Sequence, residues 1–222
     1  MIKRWLAPLL DVVRRARKTT RRNLKGDRDI EWSFVAARIG AHVAKGTRVL
    51  DVGCGTGVLS LAAAGMGGHV LAIDLMPQQF SCPFAGFDFR MADVSALNAS
   101  DGPFDVVINC STIEHVGLGG RYNSRDAPDG DLDAMERLAR LMRPGGYMLL
   151  TLPVGQDAVF RPLHRVYGGD RLPRIIGAFR VIEEQYFHKP HDNTWRMCSS
   201  AEAMAEAGGP AYYALGCMVL QK

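Results

Sequence analysis

The sequence predicts an α/β protein: a seven-stranded, mostly parallel sheet with helices on both faces and an antiparallel C-terminal edge strand, preceded by a basic N-terminal helical arm. Three observations predict it. From Glu31 onward, strand-like and helix-like hydrophobic patterns alternate, as in parallel sheets with crossover helices. The first strand runs into a turn with three glycines in five residues, Gly53-Cys54-Gly55-Thr56-Gly57, which opens a helix. The last two strand-like runs, 179–187 and 212–221, flank the short helical stretch "SAEAMAEAG" and read as an antiparallel edge pair.

In chain order, Trp5, Leu9, Val12 and Ala16 recur at helical spacing. Residues 1–28 form the arm, with ten basic residues against Asp11 and Asp27; the rest of the chain carries a net negative charge. Such an arm either contacts a polyanion, nucleic acid or an anionic membrane surface, or docks on the body with a solvated charged face. The main domain, 29–222, begins with a helix over 31–44 and a strand over 47–52. The glycine turn opens a helix over 57–65, followed by strands at 69–74, 86–91 and 104–109. A helix from Asp131 to Met142 is closed by the "RPGG" turn, and the fifth strand is 147–153. A loop then leads to the C-terminal pair.

Composition narrows the class. At 222 residues and 47% hydrophobic content, the chain builds one substantial core and falls short of two ordinary enzyme domains. The five cysteines are scattered and show no CxxC pair, which argues against a disulfide framework or zinc module and for a reducing, cytoplasmic setting. No apolar run approaches the ~20 residues of a membrane span.

A strand ending in a glycine-rich turn that opens a helix gathers backbone N–H groups and the positive helix end at one point, which suits an anionic or electron-rich ligand. Dinucleotide folds place a third glycine one position later than this turn does. Here Asp51 stands two residues before the first glycine, where it would repel a pyrophosphate but accept from a cationic amino group. Asp74 ends the second strand, placed to accept both hydroxyls of a ribose, and Asp93 follows the third. Three acids on successive strand ends fit an adenosyl ligand with a cationic amino-acid tail.

With these landmarks the chain resembles the class I S-adenosylmethionine-dependent methyltransferases, whose Rossmann-like fold carries a D-x-G-x-G-x-G loop and acids after strands two and three. The match runs from about Thr47 to Leu152. The resemblance implies that Asp51, Gly53, Gly55 and Gly57, with Cys54 and Thr56 between them, shape the methionine pocket. It implies that Asp74 and Leu75 hold the ribose, that Asp93 and Val94 border the adenine, and that Asn109 and Cys110 complete the cofactor site. "EHVGLGGRYN", "LHRVYG" and "YYALGCMVLQK" further resemble a methyltransferase-related family of unknown function associated with carbohydrate biosynthesis. The chain departs from it by Gly120 before Arg121 and by Asn123.

The loop after the fourth strand should face the transferable methyl group. His115 is the first candidate for general base, because imidazole titrates near neutral pH, and Glu114 would orient it or bind a substrate hydroxyl. The plainer alternative is that the pair caps the following segment. Asp157, Arg161, His164, Arg165 and Tyr167 form a second polar cluster suited to the acceptor side, with His164 an alternative base. The E-H pair also resembles the metal-binding E-x-x-E-H of ubiquinone-pathway O-methyltransferases, with Ser111 at its first position. Asp126, Asp129, Asp131 and Asp133 would complete a Mg²⁺ site, or Asp131 and Asp133 would only offset a helix dipole. The expected function is methyl transfer to a hydroxyl of a small molecule, a sugar or glycan precursor by the family resemblance, in a monomer or homodimer. The alternatives are N-methylation or a basic-arm protein that binds nucleic acid or membrane.

Overall fold

The computed structural model describes residues 22–80, 84–120, 122 and 125–222; the helix expected around Trp5–Ala16 lies outside them. Helix α1 (Asp27–His42) leads to β1 (Arg48–Val52), α2 (Val58–Gly65), β2 (His69–Asp74), β3 (Phe87–Met91), β4 (Phe104–Cys110) and α3 (Gly130–Leu141). Then follow β5 (Met142–Val154), β6 (Ala158–Phe160), β7 (His164–Val166), α4 (Arg171–Ile176), β8 (Arg180–His188), β9 (Arg196–Cys198), α5 (Ser200–Ala205) and β10 (Ala214–Gln221).

The main sheet has the order β3-β2-β1-β4-β5-β10-β8-β9, and β6 with β7 forms a separate hairpin. Strands β1 to β5 are parallel, and β10 runs antiparallel to both β5 and β8. Apolar residues of α1 and α2, including Phe34, Val35, Ile39, Leu59 and Ala63, pack on one face. Those of α3 and α4, including Met135, Leu138, Leu172 and Ile175, pack on the other. The stripe on α3 arises because Met135, Leu138 and Leu141 recur at helical spacing, while Asp131 and Asp133 place negative charge in its first turn.

Four details depart from the sequence reading. Among the described residues the sheet has eight strands, because Arg196–Cys198 pairs outside β8. β10 is antiparallel, yet lies between β5 and β8, which suits a run buried at seven successive positions. "RPGG" does not form a separate turn: α3 ends at Leu141, and 143–146 belong to an irregular start of β5, where the register against β4 shifts between Phe104 and Val106. Hairpin β6–β7 and α4 occupy what reads as a loop.

Residues 22–26 are tied to the body before α1 begins. The Arg22 guanidinium pairs with Glu206 at 2.6 Å and lies 4.2 Å over the Tyr212 ring. The Lys25 carbonyl accepts from Lys189 Nζ at 2.7 Å and Trp195 Nε1 at 3.1 Å, and Lys189 is only 2% exposed. No helix among the described residues is long and apolar enough to cross a membrane.

Candidate active site

The chain reverses its build direction between β1 and β4, and ligands in open α/β sheets bind beyond the strand ends at such a point. A cavity of about 390 Å³ lies there. Its first wall is the turn after β1 with the ends of β2 and β3. Gly53, Gly55 and Gly57 all have φ in the left-handed region, at 70°, 51° and 73°. A Cβ on Gly53 would stand 2.4 Å from Thr112 Oγ1, and one on Gly57 would stand 2.4 Å from the Phe80 ring. At Gly55 nothing lies within 4 Å, so its backbone opens onto the cavity.

Carboxylates shape this wall. Asp74 Oδ2 accepts the Gly55 N–H at 2.9 Å and Oδ1 accepts the Met76 N–H at 2.8 Å, fixing the turn against the end of β2. Asp51 is buried beneath the turn and accepts from the Ser60 hydroxyl. Burial pushes its carboxyl up to about 7, against the Ser60 hydrogen bond and with Asp74's charge adding. Asp93 accepts the Ser95 N–H at 2.7 Å and so caps a short helical turn. Burial holds the Cys54 thiol well above its usual range, so it stays protonated at neutral pH.

The second wall comes from β4 and α1. Ser111 sits in the left-handed region at φ 52°, a strained conformation for a non-glycine residue. Its hydroxyl donates to Glu114 Oε1 at 2.7 Å. Glu114 is fully buried, and His115 Nε2 lies 3.7 Å from the same oxygen. His115 Nδ1 lies 2.5 Å from the Leu163 carbonyl. A carbonyl only accepts, so Nδ1 carries the hydrogen and Nε2 is the basic nitrogen of the neutral ring.

Of the residues the sequence singles out, Asp51, Gly53, Cys54, Gly55, Thr56, Asp74, Leu75, Asp93, Val94, Cys110 and His115 line the cavity. Gly57, Asn109 and Glu114 stand behind it; Asn109 is fully buried and its side-chain oxygen accepts the Ile113 N–H at 3.2 Å. His164 belongs elsewhere. It is buried in β7 with its ring 4.8 Å from Tyr213 and 5.5 Å from Phe160, outside the cavity lining. The other members of its cluster also serve the scaffold. Asp157 accepts the N–H groups of Gly168, Asp170 and Arg171, Arg161 pairs with Asp126 at the surface, and Arg165 and Tyr167 are fully buried against Asp131.

The Mg²⁺ expectation meets the same correction. Asp126 pairs with Arg161, and Asp129 and Asp131 with Arg171, so guanidinium groups occupy the acids a cation would need. Among the described residues no group of three or more His, Cys, Asp or Glu could hold a metal ion.

Sequence reasoning missed Arg28 and Trp32, which α1 adds to the lining. Arg28 donates to Glu31 at 2.8 Å, and Glu31, fully buried, also accepts from the Thr151 hydroxyl at 3.0 Å. Burial pushes the Glu31 carboxyl up to about 7, with Arg28 opposing and Glu114 adding. The readable signal was an acid on the stripe Glu31, Phe34, Val35, Ile39, which faces inward at helical spacing.

Sheet order, glycine turn and strand-end acids define the class I methyltransferase fold. The 1,6-didemethyltoxoflavin-N1-methyltransferase of Burkholderia thailandensis shares it at TM-score 0.58 and 20% identity, over 85% of this chain and 76% of that one. The N-methyltransferase NodS of Bradyrhizobium japonicum shares it at TM-score 0.57 and 13% identity, over 88% and 86%. Within that fold, the chain belongs to the family described as "Caenorhabditis protein of unknown function, DUF268", whose profile matches residues 87–214. A profile of ribosomal protein L11 methyltransferase matches residues 36–85. A ubiquinone biosynthesis O-methyltransferase of Xanthomonas campestris is 35% identical over 155 residues, 66% of this chain and 58% of the relative. One of Xylella fastidiosa is 36% identical over 155 residues, 66% and 56%. The chain thus spans less than two thirds of the length of these curated relatives.

Proposed function

We propose that this protein is an S-adenosylmethionine-dependent methyltransferase acting on a hydroxyl oxygen of a small-molecule acceptor. The observation that carries the reading is the row of Asp51, Asp74 and Asp93 at the ends of three neighbouring parallel strands, around one cavity onto which the Gly55 backbone opens. In this reading Asp51 takes the cofactor's ammonium group and Arg28 its carboxylate, Asp74 takes the ribose hydroxyls, and Asp93 and Val94 border the adenine. The bound cofactor supplies a methyl group activated by a positively charged sulfur.

His115 supplies the proton chemistry. The Leu163 carbonyl holds Nδ1–H, which leaves Nε2 to take the proton of the acceptor's hydroxyl. Glu114, steadied by the Ser111 hydroxyl, offsets the imidazolium charge that develops. The names of the curated relatives support oxygen as the acceptor atom, and the carbohydrate-associated resemblance makes sugars and glycan precursors the first hydroxylated acceptors to assay.

Calorimetry with S-adenosylmethionine and S-adenosylhomocysteine, followed by transfer of a labelled methyl group to paired hydroxylated and aminated acceptors, tests this. Binding with transfer to hydroxyls is expected. Failure to bind either compound overturns the cofactor assignment, and transfer to amines alone overturns the oxygen assignment.

A further inference from the structure

We infer that the β6–β7 hairpin, through Arg165, is the element that positions His115 and fixes its tautomer. The inference rests on the reading of His115 as the base, but its central observable, which nitrogen holds the proton, does not depend on methyl transfer. Two contacts from one hairpin converge on consecutive residues. The Leu163 carbonyl accepts from His115 Nδ1 at 2.5 Å, and Arg165 Nη1 donates to the carbonyl of Val116, the next residue. The hairpin therefore grips both the imidazole and the backbone that carries it.

Arg165 is 1% exposed, which is unfavourable for a cation unless its donors are satisfied. Its Nη2 donates to the Pro128 carbonyl at 3.1 Å and the Ala127 carbonyl at 3.4 Å, and its Nε lies 3.6 Å from Asp131. Asp131 is in turn held by the Tyr167 hydroxyl at 3.1 Å and Arg171 Nε at 2.9 Å. One planar fork thus joins the start and end of the 116–128 loop, a task a lysine point charge cannot perform. The two ends pack closely: a Cβ on Gly117 would come within 2.2 Å of the Ala127 carbonyl oxygen, itself one of the Arg165 contacts.

The test compares wild type, Arg165→Lys, Tyr167→Phe and the surface control Arg140→Ala, whose side chain pairs only with exposed Glu136 on its own helix among the described residues, each checked for folding by circular dichroism. Nitrogen-15 NMR of the imidazole, assigned with His115→Gln, should show a slowly exchanging Nδ1–H in wild type and Arg140→Ala. In Arg165→Lys the proton should redistribute or exchange faster and kcat fall by ~10–100-fold, with acceptor KM and cofactor Kd changing less than ~3-fold. Tyr167→Phe should show the same change in smaller degree. An Nε2–H tautomer in wild type overturns the inference, as does a folded Arg165→Lys protein with unchanged tautomer and kcat. Should Arg165→Lys not fold, unchanged Nδ1–H exchange in Tyr167→Phe overturns it and faster exchange supports it. A wild-type Nδ1–H signal without methylation of any acceptor removes the proposed function and leaves this inference standing.

Discussion

The two walls of the cavity face each other but are built by different means. The wall from β1, β2 and β3 is largely backbone, held by turn geometry: three left-handed glycines and a carboxylate, Asp74, that takes two N–H groups within its own neighbourhood. The wall from β4 and α1 is side chain, held from afar: His115 by Leu163, Glu31 by Thr151, Val116 by Arg165. The first is held from within, because glycine takes those positive φ angles without strain and Asp74 fixes the turn by accepting the Gly55 N–H. The second is rigid only while remote partners stay in place, which makes it the more adjustable half and suits the side that chooses an acceptor.

This contrast predicts separable losses. The largest effect belongs to the second wall: His115→Ala should lower kcat by ~10²–10⁴-fold and leave cofactor Kd nearly unchanged, read by steady-state rates and calorimetry. A parallel loss of cofactor binding would show that the walls are not independent. Next, Asp74→Ala removes the acceptor of two turn N–H groups and should weaken cofactor binding by ~10–100-fold.

A smaller effect follows from Asp51. With its carboxyl raised to about 7, the folded protein keeps a proton that the unfolded chain gives up near its ordinary value. Its contribution to apo stability therefore falls as pH climbs from about 4 to about 7 and is level above, and Glu31 acts in the same sense. Binding an ammonium group requires the ionised form, so cofactor affinity should rise by ~10-fold between pH 6 and pH 8 with release of a proton. Calorimetry in buffers of different ionisation enthalpy measures that release, and Asp51→Asn should abolish it. The smallest change is expected for Glu31→Gln, which keeps a hydrogen-bonding group of similar shape and should alter denaturation free energy by less than ~1 kcal/mol. A large loss there would mean that the charge itself organises the second wall.

The same contrast governs what a reader of the sequence can see. That Asp51 through Thr56, Asp74 and Asp93 gather around one cavity was legible because a turn after one strand and acids at the ends of its neighbours must meet at one edge of a parallel sheet. The sheet was legible because its strands and helices have different hydrophobic periods. His164 lies outside the cavity lining because the stretch that reads as a loop folds into a hairpin, which turns its ring onto Tyr213. Asp126, Asp129 and Asp131 looked like cation ligands because their arginine partners lie 35 to 42 residues away, beyond any pattern a motif records. Arg28 was assigned to the arm on charge alone; its contact with Glu31 becomes visible only once α1 is seen to start at Asp27.

Lys189 carries a practical consequence for anyone shortening this chain. Its ammonium group is enclosed, and its short contact is to the carbonyl of Lys25, on a segment that composition alone would discard as a dispensable leader. Trimming past Lys25 would leave that cation without its oxygen, a penalty of ~1–3 kcal/mol or more. It would also release the entry to the helix bearing Arg28 and Trp32. A trimmed protein that expresses poorly and binds nothing would then report on where it was cut, not on its chemistry.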